Sequence, residues 1–445
     1  MIKLKLFLML FLCFLIAATS LFAGSLDHLS NRSARYIVVP SRNAATDAAD
    51  IVAYNPAGTA FLSQGFHVDL SSQSFFKYYS EDVNFAAINF HKELKQDEPT
   101  PSLPNLYLVY NFGQMGPGKL AAYLEIGVSA GGGNLNWKNG TAGTTLALFG
   151  IGTDSTLGIG PADSQSFKAS SMYLTSGIGA SYSLMDDMVA VSLGGRVMRG
   201  IRSFELGATF GGGETLNGEY EYNATGFTPI IGFDVKPIDG LILSARYEYE
   251  TEFEFKYEQK KLEATGNANL EGVAADALAN AGIADGNKFK QHLPHLIGLG
   301  AEYKINNDFL ITASSAIYLL SKADLAGIEK HLGTGWEIGL GAKYNVSKEL
   351  QLGWGVLYTE TGAKDSFLNS SSTLLNVSAN AFMDSIALNF GGTYALENLG
   401  LDFTLGFMYT HYLSEDYSVD VGPLNISGKY RKDVYVIAFG VGYHM

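Results

Sequence analysis

The feature that most constrains this chain is a two-residue alternation that restarts repeatedly, separated by a very short turn on one side and a long polar loop on the other. In residues 399–411, Leu401, Phe403, Leu405, Phe407 and Tyr409 share one face, and Asp402, Thr404, Gly406 and Thr410 the other. Residues 435–444 repeat the pattern, with Tyr435, Ile437, Phe439, Val441 and Tyr443 opposed to Ala438, Gly440, Gly442 and His444. Residues 336–344 set Trp336, Ile338, Leu340, Ala342 and Tyr344 against Glu337, Gly339, Gly341 and Lys343. A period of two is a strand with one apolar and one polar or small face. Such strands build either a sandwich, with the apolar face in a core, or a membrane barrel, with that face in lipid and the other in a lumen.

The connections decide between the two. Fourteen strand candidates fall at 66–78, 104–112, 119–130, 169–183, 187–199, 225–235, 240–255, 291–304, 308–320, 333–345, 349–360, 382–395, 398–411 and 432–444. Asp186-Asp187, Lys236-Pro237-Ile238-Asp239, Asn306-Asn307, Val346-Ser347-Lys348 and Glu397-Asn398 sit in short turns. Long segments at 79–103, 131–168, 200–224, 256–290, 321–332, 361–381 and 412–431 lie between them. Strict short–long alternation puts every long loop on one rim of an up-and-down barrel, and an even strand count suits a single-chain outer-membrane barrel. Greek-key sandwiches do not alternate so regularly. The expected fold is therefore all-β, a transmembrane antiparallel barrel with both termini on the short-turn, periplasmic side. Leu270, Val273, Ala277, Leu278 and Ala281 predict a short amphipathic helix within 256–290. Leu146, Leu148 and Phe149 in the glycine- and threonine-rich loop 140–162 either catch an apolar ligand or pack loops together.

Composition and the N-terminus agree. Charged residues make up 17%, below the quarter usual for soluble domains, while 51 glycines, 25 tyrosines and 27 phenylalanines suit close strand packing and interfacial aromatic girdles. Lys3 and Lys5 precede an apolar run, Leu6–Ala18, and small residues end at Ala23, so residues 1–23 are expected to be a signal peptide. The one cysteine, Cys13, lies inside that run, which leaves no disulfide and no thiol chemistry for the mature chain. No later apolar run is long enough for a spanning helix. A net charge of −14 argues against nucleic acid as a partner.

Residues 24–65 do not read as a strand. Arg32, Arg35, Arg42, Asp47 and Asp50 punctuate small residues, and Ala44–Ala53 is expected to form a short helix that stops before Asn55-Pro56-Ala57-Gly58. Asp47-Ala48-Ala49-Asp50 followed by Tyr54-Asn55-Pro56-Ala57 and Phe61 resembles the FadL family of outer-membrane long-chain fatty acid transporters, with its toluene- and xylene-channel relatives. Pro101-Ser102-Leu103-Pro104-Asn105-Leu106-Tyr107, Leu293-Pro294-His295 leading into Gly298–Tyr303, and the hairpins from 335 to 411 look similar too. The resemblance covers nearly all of the mature chain. It departs at the end, where Tyr443-His444-Met445 lacks the terminal aromatic residue that the barrel-assembly machinery reads.

That resemblance implies a fourteen-stranded barrel at 66–445, a hatch at 24–65 inside the lumen, and passive uptake of long-chain fatty acids or similar hydrophobic molecules with lateral release at a kinked third strand. Asn55, Pro56 and Ala57 would form the hatch's gating turn. Gly127 is the candidate kink in strand 119–130; alternatively it only makes lumen space. Lumen-facing charges are expected at Glu125, Arg196, Arg246, Glu248, Glu250, Glu302, Glu337, Lys343 and Asp402, mostly in ion pairs with the hatch or facing water. Arg196 and Arg246 are the candidates for holding a ligand carboxylate. Hydrophobic ligand, outer-membrane lipid and lipopolysaccharide are the expected partners of a monomer without cofactor. The competing functions are an aromatic-hydrocarbon channel, a general porin, an adhesin-like barrel and an outer-membrane enzyme. For the last, His292 and His295 straddle Pro294, a poor geometry for a metal pair, and no catalytic group stands out.

Overall fold

The computed structural model describes residues 30–154, 156–369, 381–421 and 424–445. The expected signal peptide, residues 24–29 of the expected hatch and part of loop 361–381 lie outside them. Eighteen strands form one sheet. In order they are β1 (Gly65–Phe85), β2 (Phe90–Gln96), β3 (Thr100–Met115), β4 (Gly118–Trp137), β5 (Ala162–Leu184) and β6 (Val189–Phe210). Next come β7 (Thr215–Ile238), β8 (Leu241–Glu248), β9 (Glu254–Thr265), β10 (Lys288–Lys290), β11 (Leu296–Lys304) and β12 (Phe309–Tyr318). The last are β13 (Gly335–Asn345), β14 (Leu350–Glu360), β15 (Ser385–Leu396), β16 (Leu401–Tyr412), β17 (Glu415–Val421) and β18 (Leu424–His444). Four of them, β2, β9, β10 and β17, are additions in the outer loops. The other fourteen close into an antiparallel ring: β8 pairs with β11, β16 with β18, and β18 with β1. Met445 completes the closure by exchanging both backbone hydrogen bonds with Phe66.

Every strand expected from the alternation is present, and the face assignments hold. Leu193, Ile178 and Leu405 are 70%, 69% and 61% exposed on the outer face. Their neighbours Ser192, Thr404 and Gly406 are buried on the inner face. An exposed apolar belt of this extent has a physical place only in hydrocarbon, so the architecture is that of an outer-membrane barrel. The short turns carry the strained backbone they need: Met185, Asp186 and Asp187 all have positive φ, as does Gly400 at 64°.

The differences lie mostly at the outer rim. A spanning strand needs about 10 residues, but β5, β6 and β7 have 23, 22 and 24. Loop 200–224 is therefore not irregular: β6 and β7 stay paired up to Thr209–Thr215, well above the membrane. Strand β8 ends at Glu248 rather than running to 255, because the chain then turns inward. The helix α1 is at Ala34–Val38, whereas of the expected helix 44–53 only Ala49–Ala53 is helical, as a 3-10 turn. Residues 140–162 contain a helix that glycine and threonine disguised, α2 (Ala142–Gly152), started by a capping box between Thr141 and Thr144. The expected amphipathic helix is α3 (Leu270–Asn280), which buries Leu270 and Ala274. Helices α2 and α3 share an apolar cluster through Leu148, Ile151, Leu270 and Ala274.

Candidate functional site

The interior is built from the N-terminal segment upward. Ser33 caps α1 by accepting the Tyr36 N–H. Asn55 caps the next 3-10 turn, Pro56–Phe61, through the Gly58 N–H, and Pro56 fits its first position because no partner for a proline N–H is needed there. Ala34, Ile37, Ile51, Tyr54, Ala57 and Ala60 are buried.

Hydrogen bonds join this segment to strands all around the ring. Asn389 of β15 donates to Ile37 O (3.0 Å), and Ser41 meets Thr312 of β12 (2.9 Å). Lys343 of β13 donates to Asp47 (2.6 Å), and Thr59 meets Ser181 of β5 (2.6 Å). Asn111 of β3 donates to Leu62 O (3.0 Å), and Asn55 donates to Asp234 of β7 (2.8 Å). Arg35 forms ion pairs with Asp69 of β1 and Asp402 of β16. Glycine lets the backbones approach: a Cβ on Gly339 would lie 1.9 Å from Pro40 O. Within the segment, buried Arg42 binds both Asp47 and Asp50. Burial raises the Asp47 carboxyl, but Arg42 foremost, with Lys343 and Arg35, outweighs it and holds the group well below the usual range.

Above the segment lies a second charged tier. Arg196 Nε is 2.7 Å from Glu125 Oε1, and its Nη1 is 2.7 Å from Glu248 Oε2. Arg246 sits 3.2 Å from Glu248 and donates to Ala53 O. Arg196 is thus matched by two wall carboxylates, while Arg246 shares one of them. Of the expected lumen charges, Lys343 and Asp402 pair with the segment, and Ser30 donates to Glu337. Two cavities share Ser30, Tyr36, Glu337 and Leu357. One is lined by Arg32, Asn43, Arg246 and Ser314, the other by Met383, Ala387, Met408 and Tyr412. The two adjoin at these four residues as one small chamber, with Arg32 and Arg246 on one side and Met383 and Met408 among Asn31, Thr359, Ser385 and Thr410 on the other.

The wall is discontinuous beside this interior. The β3–β4 ladder runs from Met115–Gly118 up to Asn105–Gly127 and stops. Beyond it, the β4–β5 register slips between Val128 and Ala130 and again before Gly133. Gly131 and Gly133 have φ of 86° and 93°. Side chains stitch the seam instead: Asn105 Oδ1 accepts the Val128 N–H (2.8 Å), and Gln96 Oε1 accepts the Asn136 N–H (3.3 Å). The irregularity is in the expected strand but starts one residue past Gly127, which itself pairs regularly with Asn105 and Thr175. Gly127 seats Asn105: a Cβ there would lie 2.0 Å from Asn105 Oδ1. The run Gly131-Gly132-Gly133 was the sequence signal for the slip. Asn111, Asp234 and Asn389 carried no comparable signal, since one polar residue on an inner face reads as wetted lumen.

No family model matches the chain, and no curated protein sequence does. Solved structures do. A Pseudomonas aeruginosa FadL homologue matches with a TM-score of 0.66 at 13% identity, over 95% of this chain and 99% of that one. The Pseudomonas putida toluene transporter TodX matches at 0.55 and 14% identity, over 96% and 99% of the two chains. The Ralstonia pickettii toluene transporter TbuX matches at 0.56 and 12% identity, over 94% and 100%. At such identities the likeness is one of fold, and it spans both chains almost end to end.

Proposed function

We propose that this chain, sharing the fold of those transporters, is a passive bacterial outer-membrane channel for hydrophobic small molecules, with residues 24–65 as its hatch. The observation that carries this reading is the filled interior. Residues 30–62 are pinned to opposite walls and fill the interior among the described residues, and the small chamber that carries Arg246, Met383 and Met408 lies against them. A general porin needs an open lumen and is disfavoured by that packing. The seam above Asn105–Gly127 is the lateral exit in this reading, because the β3–β4 ladder ends there and the Asn105 side chain bridges the gap. The Asn55-Pro56-Ala57 turn is the gating element, held at Asp234.

Long-chain fatty acids are the first reading, with the carboxylate toward Arg246 and the chain toward Met383 and Met408; each cavity now has room for about one or two waters, so the segment has to move to admit the chain. Arg196 has less capacity left, being matched by Glu125 and Glu248. Aromatic hydrocarbons are the second reading, favoured by the toluene transporters among the structures of like fold. In this setting lipid and lipopolysaccharide surround a monomer, and the protein is a conduit rather than a catalyst.

A reversible lock tests the hatch. Ser41→Cys with Thr312→Cys replaces a 2.9 Å hydroxyl contact between segment and wall. Uptake of labelled oleate and of toluene by cells carrying this variant should fall on oxidation and return with reductant, at unchanged surface level. Equal uptake by locked and reduced forms would remove the gating role, and no uptake of either compound by the unmodified protein would overturn the channel.

A further inference from the structure

Six rings and one guanidinium line the inner face of the wall above the chamber. Arg196, Met198, Gly200 and Arg202 follow one another on the inner face of β6. Arg202 therefore stands six residues beyond Arg196, roughly 14 Å farther toward the outer rim for a strand tilted near 45°. It pairs in register with Ser171 and Tyr222. After β8 the chain turns inward and lays Phe253 and Phe255 over this face. Glycines make room for them: a Cβ on Gly200 would lie 2.8 Å from Phe255, and one on Gly226 3.2 Å from Phe253.

The rings are continuous. Tyr173 contacts Phe253 at 5.4 Å between centroids, Phe253 contacts Phe255 at 5.6 Å, and Phe255 stacks on Phe289 at 5.5 Å. Tyr257 stacks on Phe289 at 4.9 Å, and Tyr222 contacts Tyr257 at 5.1 Å. The Arg202 guanidinium lies 5.1 Å over Tyr222 and 5.9 Å from Phe255. Its Nη1 donates to the neutral Gln291, and its buried Nε has no acceptor. Among the described residues no carboxylate pairs with it, in contrast to Arg35, Arg42, Arg196 and Arg246. A cation partly withdrawn from water and met by rings, the Tyr173 hydroxyl and an amide, all neutral, lacks its counter-charge.

We propose that this part of the wall is a subsite for aromatic carboxylates, with Arg202 taking the carboxylate and the partly exposed rings of Tyr222, Tyr257 and Phe289, backed by buried Phe253 and Phe255, taking the arene. The guanidinium fork fits a planar carboxylate by charge-assisted bonds. An arene continues the existing stacks and edges, a contact beyond area burial that a saturated ring or alkyl chain does not make. A neutral arene fills the rings but leaves the charge unmatched. The proposal rests on the channel reading, since it places the subsite on the inward path.

The test is calorimetric titration of the full-length chain in detergent micelles with benzoate, cyclohexanecarboxylate and toluene. Benzoate is expected to bind at least fivefold tighter than cyclohexanecarboxylate. Arg202→Gln should weaken benzoate at least tenfold and leave toluene unchanged. Phe289→Leu should weaken benzoate but not cyclohexanecarboxylate. Heat-modifiable electrophoretic mobility checks that each variant is a folded barrel. Equal benzoate affinity in Arg202→Gln, or cyclohexanecarboxylate binding as tightly as benzoate, would overturn the subsite. Absence of oleate and toluene uptake by the unmodified protein would instead remove the channel reading, whatever the titrations give.

Discussion

The Asn55 side-chain amide donates to the Asp234 carboxylate at 2.8 Å, so the turn that opens with Pro56 is fixed to β7 by one buried side-chain pair. The same amide donates to Ala45 O at 3.1 Å, and its oxygen caps Gly58. One residue thus sets the local turn, the fold of the segment upon itself and its attachment to the wall.

Asn55→Ala removes all three contacts and leaves a buried carboxylate without this donor. Docking of the segment should weaken by about 1–3 kcal/mol. Limited proteolysis of the intact barrel reads this as faster cleavage between residues 30 and 62. Asp234→Asn, which can still accept, should have a smaller effect. Equal cleavage of all three proteins would refute the attachment.

Arg196→Met strands Glu125 on the inner face and takes one of Glu248's two cationic partners, and breaking such a buried pair costs about 3–5 kcal/mol. Urea unfolding from lipid vesicles should show that loss. Adding Glu125→Gln should recover part of it, because Glu248 keeps Arg246 at 3.2 Å. A midpoint unchanged by Arg196→Met would mean that water, not Arg196, solvates both carboxylates.

Asn105→Ala deletes the acceptor for the Val128 N–H and should loosen the β3–β4 seam without harming the ladder below Gly127. Gly127→Ala should do the same indirectly, by forcing Asn105 from its seat. Both should raise hydrophobe uptake, or backbone amide exchange at 128–133, with little loss of overall stability. Slower uptake would argue that the seam is a wall rather than an exit.

The Asp47 carboxyl is held below its ordinary value of 3.8, with Arg42, Lys343 and Arg35 overcoming burial. A depressed folded-state pKa gives stability that is present above the unfolded value and lost only as pH falls through the folded one. The Asp47 attachment of the segment should therefore hold from neutral pH down to the ordinary carboxyl range. Asp47→Asn, which leaves Lys343 and Arg42 facing each other, should weaken docking at neutral pH and flatten its response to acid. Protease access to the segment across pH checks both, and release of the unmodified hatch at mildly acid pH would contradict the assignment.

Much of the wall was legible because alternation is a local property. Leu401 to Tyr409 announce an outward face whatever they pair with, and Asp186-Asp187 announces a turn whatever lies across it. Pro237 shows the limit: the expected turn became a ladder slip between Val235 and Ile238, with the turn at Asp239-Gly240. The helix expected at 44–53 failed for a similar reason. Asn43, Asp47 and Asn55 there are committed to wall groups, and those bonds prevail over helix propensity.

The sequence by itself determined the strand set, the two faces, the short and long rims and an N-terminal segment unlike a strand, because each follows from periodicity or turn chemistry within a few residues. Only the tertiary structure decided what meets inside: Asn55 at Asp234, Arg196 between Glu125 and Glu248, Arg202 without a carboxylate, and the ladder's end at Asn105–Gly127. Those depend on strand register around a closed ring, where residues 179 positions apart, such as Asn55 and Asp234, become neighbours. A one-residue shift would turn every inner side chain to lipid, and no local pattern states which strand lies opposite which.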